Sequence, residues 1–199
     1  MTEDLGLRER KRRATRRALA EAAVRLFDRQ GYEGTTVAEI AAAADVSTKT
    51  FFNYFPAKED VLFINPQRRV DAALAVIAAR HGEPLADVLV AAVEQMLWYT
   101  ERDDLATGMA ATRLHLISTV PALQAAALRR TASAAVQLTN AVYDAYQPEL
   151  DEDTAAAAVG ALLGAVIGVT NAGLQRGDPP RKLAAAVRRA AAIAVRGMQ

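Results

Sequence analysis

At 199 residues and a formal net charge of +1, the chain is either one domain or a small domain joined to a larger one, and its overall charge points to no partner. Apolar residues make up 52% of it, enough for a sizeable core, and the absence of cysteine excludes disulfides, thiol chemistry and metal–thiolate sites. Alanine dominates and no Asn-Gly or Asp-Gly hairpin signal separates alternating apolar runs, so helix is expected nearly throughout.

The opening MTEDLGLRERKRR carries charge where a signal peptide needs an apolar core, so a cytoplasmic protein is expected. A first helix is predicted from about Leu7 to Gln30, stopped by Gly31, with Leu19, Ala22, Ala23, Leu26 and Phe27 on its buried face. Ahead of that face, seven of the ten residues from Arg8 to Arg17 are Lys or Arg. Such a block, Arg12 and Arg13 included, makes phosphate contacts by releasing counterions, or is simply a solvated helix end; its place before the next segment favours DNA.

That segment, Thr36 to Lys58, reads as two short helices with a tight turn. Thr36 caps an apolar-periodic run through Val37, Ile40, Ala41 and Ala44; Asp45-Val46 interrupts it, and Ser47 caps a second helix from Thr48 to Tyr54. Phe51 and Phe55 lie four apart on one side of the second helix and polar groups on the other. This is the pattern of a helix-turn-helix whose second helix enters the major groove.

A helix starting near Ala57 should carry the chain onward, opened by Lys58-Glu59-Asp60. Asn65-Pro66 should break or kink it between Ile64 and Pro66, Asn as cap and Pro in the first turn, with helix resuming to about Arg80. Stop signals then divide the remainder. Helices are expected from Pro84 to about Glu101, from Asp103-Asp104 to about Ser118, from Pro121 to about Tyr146, from Asp151 to about Gln175, and from Pro179-Pro180 to about Arg196. The total is nine, three in a first domain and six after it.

Thr154 to Gln175 contains no charged residue and carries Gly160, Gly164 and Gly168 at every fourth position. A membrane span is one reading, but Ala and Gly contribute little transfer energy, Asn171 and Gln175 lie inside it, and interfacial aromatics are missing from the flanks. A helix apolar all round is otherwise buried on all sides, by its own domain and by a partner. A dimer face of Gly160, Leu163, Gly164, Ile167 and Gly168, matched by Leu183, Val187, Ala190 and Ala194 of the last helix, is therefore expected, with a purely internal core as the alternative.

The run GYEGTTVAEIAAAADVSTKTFFNYFPAKEDVL, Gly31 to Leu62, resembles the DNA-binding signature of the tetracycline-repressor (TetR) family. The resemblance rests on Gly31-Tyr32, Thr35-Thr36-Val37, Ile40-Ala41, Val46-Ser47, Thr50 through Phe55, and Lys58-Glu59, at fixed spacing, and is specific over about Arg10 to Leu62. It implies an all-α, nine-helix architecture: a helix-turn-helix domain over 1–62 and a ligand-binding and dimerisation domain over 63–199. Two departures stand out. Asp45 occupies a turn position where the family usually has glycine in a left-handed conformation, and Pro66 falls in what the family builds as one long connecting helix.

The resemblance also implies roles that the side-chain chemistry supports. Thr48, Lys49, Phe52 and Asn53 face the bases; lysine can donate to guanine O6 and N7, and a threonine methyl can meet thymine. Thr36, Thr50, Tyr54 and Lys58, with Arg12 and Arg13, are placed for phosphates, although Tyr54 can equally pack beside Phe51 and Phe55. Phe51, Phe55, Ile40 and Leu26 are core. The expected function is a ligand-responsive repressor, binding a palindromic site on double-stranded DNA as a homodimer and released by a small, apolar or acyl-type effector, with no further cofactor, no metal and no membrane.

Effector contacts are expected among Phe63, Met96, Trp98, Tyr99, Met109, Thr112, Arg113, Leu116 and Tyr143, each of which can also be core or surface. Arg113 and His115 together could meet an anionic head group. A helical enzyme is the competing class, but two isolated histidines and no phosphate-binding glycine loop leave no nucleophile–base pair. A non-specific architectural DNA protein would spread its basic residues over the whole chain, and this one does not.

Overall fold

The computed structural model describes the backbone of residues 2–63, 65–107 and 109–197, and the side chains of 6–63, 65–102 and 109–196. The described residues are helical, with nine α-helices: α1 (Thr2–Gln30), α2 (Val37–Ala43), α3 (Thr48–Tyr54), α4 (Pro66–Ala78), α5 (Leu85–Thr107), α6 (Ala110–Thr119), α7 (Pro121–Tyr146), α8 (Glu152–Gln175) and α9 (Pro180–Ala194). Two short 3-10 turns, Lys58–Leu62 and Val195–Gly197, complete them. By contact the chain divides into two compact units, Met1–Ile64 with Ala106–Ala126, and Asn65–Leu105 with Ala127–Gln199.

The first unit is built on α1. Leu19, Ala22, Ala23 and Phe27 are buried along it, with Leu26 packed at the margin; Ile40, Phe51, Phe55, Val61 and Leu62 close over them, and Leu116 and Leu123 join from α6 and the start of α7. Gly31 ends α1 in a left-handed conformation, φ 78°, donating its N–H to the Phe27 carbonyl at 3.0 Å. A residue with a Cβ takes that conformation at a cost, which is why glycine stops the helix there.

Three expectations need correction between the units and beyond. Lys58–Leu62 is a 3-10 turn, not the first turn of an α-helix, and α4 begins only at Pro66. Proline has no N–H to donate and disfavours the right-handed helical region for the preceding residue, so the chain breaks before it rather than running on as one helix. Asn65 takes φ 46°, ψ 47° and makes no side-chain cap, so its contribution is tolerance of the left-handed region rather than a hydrogen bond. Ile64, the start of the expected break, lies outside the described residues.

Asp103-Asp104 does not open a helix either. Helix α5 runs through it to Thr107, and α6 starts at Ala110, because aspartate within a helix costs only a few tenths of a kcal/mol, roughly, and no proline enforces a stop. The side chains of both aspartates fall outside the described set. Last, α9 stops at Ala194 and tightens into the 3-10 turn, two residues before the expected end.

In the second unit Ala73, Ile77, Leu89, Val93, Leu138, Val142, Ala155, Val159, Val187 and Ala191 form one core. Helices α8 and α9 pack closely, and Gly173 is the reason they can: a Cβ there would run into the Leu183 side chain. Arg188 of α9 pairs with Glu94 at 2.9 Å and Glu101 at 3.2 Å on α5.

Candidate nucleic-acid interface

The α2–α3 pair is defined by its caps. Thr36 accepts from the Glu39 N–H at 3.2 Å, while the Thr36 N–H and hydroxyl donate to the Glu39 carboxylate at 2.7 and 2.8 Å. This reciprocal capping holds the Glu39 carboxyl below the usual carboxylate range. Ser47 accepts from the Thr50 N–H at 3.0 Å, and its hydroxyl lies 2.9 Å from that of Thr50.

The turn between them is a Schellman motif. The Val46 N–H donates to the Ala41 carbonyl at 3.0 Å and the Asp45 N–H to the Ala42 carbonyl at 3.1 Å, with Asp45 left-handed at φ 54°. Val46 packs on the core as the hydrophobic contact of the motif. The turn is thus kept without glycine, at a steric cost that aspartate bears better than most residues. Asp45→Gly is expected to stabilise the protein by about 0.5–1 kcal/mol, the strain relieved less the extra freedom of the unfolded chain. Urea denaturation checks this; an unchanged or lowered midpoint would show that the aspartate side chain compensates in place.

Helix α3 is seven residues, about 10 Å long, and an α-helix with its side chains is about 10–12 Å across, which a major groove about 12 Å wide admits. Phe51 and Phe55 are wholly buried beneath it. Thr48, Lys49, Phe52 and Asn53 are all exposed, so the four residues expected to face bases share solvent-facing positions of this one short helix. Tyr54 is half-buried, its ring against the core.

The candidate phosphate contacts separate. Arg12 and Arg13 are exposed on α1, Arg13 holding Glu9 at 2.9 Å. Thr36 and Thr50 are committed to the caps, the Thr36 hydroxyl proton going to Glu39. Lys58 departs most from expectation. Its ammonium donates to the carbonyls of Tyr32 and Thr35 at 2.8 and 3.0 Å and stands 4.0 Å from the centre of the Tyr32 ring. It ties the 3-10 turn to the α1–α2 link, two of its three N–H donors going to carbonyls of its own unit. Beside it the Tyr32 hydroxyl donates to Glu59 at 3.4 Å, and burial, then the Glu59 charge, pushes it up to about 12, leaving it protonated across the working pH range.

Arg16 is a second internal clamp, unforeseen within the basic block. Its guanidinium lies 4.3 Å from the centre of the Phe55 ring and donates to the Tyr54 carbonyl at 2.9 Å, fastening the end of α3 to α1. These partners are 38 residues apart in sequence, and no local spacing signals such a contact.

The nine candidate effector residues are not gathered by either unit alone. Phe63, Met109, Thr112, Arg113 and Leu116 belong to the first, Met96, Trp98, Tyr99 and Tyr143 to the second. Leu116 is core, Phe63 and Thr112 are half-buried, and Met109 with the buried Arg113 lines a small hollow shared with Ala20, Glu21, Val24, Val61 and Leu62. That hollow, about 10 Å³, has room for about one water, not for an effector. Arg113 and His115 do not form a pair: one is buried and the other exposed, as two helix positions about 200° apart require. Met96 and Tyr143 pack on the second core. Trp98 is exposed, edge-on to Tyr99 at 4.7 Å, with Arg102 over the Trp98 ring and Arg68 over the Tyr99 ring.

The expected dimer face also divides. Leu183, Val187 and Ala190 are buried and Ala194 packs on the same core, so this stripe of α9 faces its own subunit rather than a partner. The apolar periodicity was real, but α8 already packs against it. On α8, Gly160, Gly164 and Gly168 are exposed, with Leu163 and Ile167 half-buried, and a Cβ on any of the three glycines would meet nothing within 4 Å.

Known proteins share this arrangement. The family model of the bacterial regulatory proteins, tetR family, matches residues 19–63, which spans the α1 core face, α2, α3 and the 3-10 turn. The chain is 36% identical over 155 residues to the HTH-type transcriptional regulator TcmR of Streptomyces glaucescens, covering 74% of this chain and 67% of that protein. The fold is similar to the fatty acid degradation regulator FadR of Bacillus halodurans, with TM-score 0.58 at 19% identity over 93% of this chain and 96% of that one. It is also similar to Thermus thermophilus FadR, a repressor solved with lauroyl-CoA, with TM-score 0.53 at 23% identity over 92% and 95% of the two chains. The capped helix pair, its open polar face and the extent of the likeness to TcmR lead to one conclusion: the chain belongs to the tetR family and is a transcriptional regulator.

Proposed function

We propose that this regulator is a cytoplasmic homodimeric repressor that binds a palindromic operator through α3 and leaves it when a small apolar or acyl-type effector binds. The observation that carries the DNA reading is the open face of α3, where Thr48, Lys49, Phe52 and Asn53 are all exposed above the buried Phe51 and Phe55. One seven-residue helix reads only a few base pairs, so two copies about one helical turn apart are needed for selectivity.

The dimer assignment rests on α8. Its most apolar 18-residue window has a mean hydropathy of 1.8, yet only 22% of that window is buried within the chain. A partner helix against Gly160, Gly164 and Gly168 covers that surface without requiring lipid, and Thr170, Asn171 and Gln175 suit a protein partner better than hydrocarbon. The acyl-type effector is supported by the lauroyl-CoA bound to the Thermus thermophilus relative. An effector of any kind acts only by its difference in affinity between DNA-binding and released forms. The left-handed Asn65 and the break before Pro66 are the joint at which the two forms are proposed to differ.

Genome-wide mapping of binding sites supplies the operator, and two variants then test the division of labour on it. Lys49→Ala is expected to cost about 1–3 kcal/mol on the operator and little on random DNA. Arg12→Ala should weaken both alike and reduce the salt slope by about 1. Equal losses on operator and random DNA for both variants would end the base-reading assignment of Lys49.

A further inference from the structure

Phe52 is the one side chain on the open face of α3 that polar recognition does not account for. It is 51% exposed, among Thr48, Lys49 and Asn53, on a helix whose apolar positions are otherwise buried. Its ring is also held. Phe51, fully buried beside it, meets it edge-on, with centroids 5.5 Å apart and planes at 85°, the arrangement that aromatic quadrupoles favour.

A phenyl ring held outward on a DNA-reading helix has one apolar counterpart in the major groove. Guanine, cytosine and adenine present only donors and acceptors there, whereas thymine presents its C5 methyl. Insertion between base steps is the other use of an apolar side chain on DNA, but it belongs to proteins that enter and open the minor groove. Thr48 and Phe52 are one turn apart and Lys49 lies three positions from Phe52, so their side chains fall about 5 Å apart along the helix, between one and two base-pair steps.

We propose that Phe52 reads the 5-methyl group of a thymine in each operator half-site, within two base pairs of the base contacted by Lys49. The assignment rests on the operator-binding reading above and adds the chemistry of one position to it. It makes Phe52 a specificity residue whose contribution is lost with a single methyl group.

The experiment is a thymine-to-uracil scan of the mapped operator, because uracil removes only that methyl. Symmetric pairs of thymines are replaced one pair at a time, and binding of the full-length protein is followed by fluorescence anisotropy at fixed salt. One pair, adjacent to the Lys49 position, is expected to cost wild type about 4-fold per half-site, roughly 15-fold for both, the effect of exposing one methyl. Phe52→Ala, whose site faces solvent and whose fold is checked by its melting curve, should bind the thymine operator more weakly and be indifferent to uracil at that pair. Equal binding of thymine and uracil operators by wild type at every position overturns the proposal, as does a uracil penalty that persists in Phe52→Ala. A protein that prefers no operator over random DNA before any uracil is introduced overturns the operator reading beneath it, a result distinct from both.

Discussion

Gly164→Leu leaves the subunit folded and lowers operator affinity by about 10²- to 10⁴-fold. The range is the avidity gained when a second DNA-binding module acts intramolecularly, and it disappears when the two modules part. The substitution sits in α8, far in sequence from the recognition helix, and a Cβ there meets nothing within 4 Å of its own chain. Leucine also favours helix over glycine, by most of the roughly 0.8–1 kcal/mol that separates alanine from glycine, so the isolated subunit gains rather than loses local stability. Only a neighbour packed against α8 can turn that gain into a loss. Sedimentation should show a monomer and circular dichroism an unchanged helix content. A dimer of undiminished operator affinity would remove α8 from the interface. Gly173→Leu is the contrasting case, since it collides with Leu183 within the subunit and should damage folding itself.

Lys58→Met destabilises the protein by about 2 kcal/mol and leaves its dependence of DNA affinity on salt unchanged. The loss comprises two charge-assisted hydrogen bonds, to the Tyr32 and Thr35 carbonyls, and the cation above the Tyr32 ring. A hydrogen bond to a charged group contributes about 1.5–3 kcal/mol, and partial exposure keeps the sum near the lower part of that range. Melting should fall by roughly 10 °C if the unit unfolds as a small domain. A phosphate contact behaves oppositely, its removal lowering the salt slope by about 1 with little effect on melting. Unchanged melting with a reduced slope would return Lys58 to the DNA surface.

The two variants mark where sequence reading works and where it stops. Helix starts were legible wherever a polar side chain caps them locally, as Thr36, Ser47 and Asp151 do. The left-handed turn at Asp45 was placed by the family resemblance, which has glycine there, and the Schellman hydrogen bonds were visible only in the structure. Helix α5 overran Asp103-Asp104 because acidic residues are only weak stops. The internal contacts of Lys58 and Arg16 were not legible for another reason. A basic residue beside a DNA-reading helix has the same sequence appearance whether it faces phosphate or a carbonyl 23 to 38 positions away. The α9 stripe shows the same limit for apolar residues. Periodicity says that Leu183, Val187 and Ala190 are covered, and only packing says that the cover is the chain itself.

Helix α1 carries two kinds of positive charge, and concentrated salt will tell them apart. In the function proposed above, Arg12 and its exposed neighbours act on DNA through released counterions, a contribution that fades as ionic strength rises. Arg16, partly buried against Phe55 and the last carbonyl of α3, is screened far less. A wash strong enough to strip the protein from DNA therefore leaves the reading head assembled. What elutes is a regulator ready to rebind on dilution, with no refolding step between.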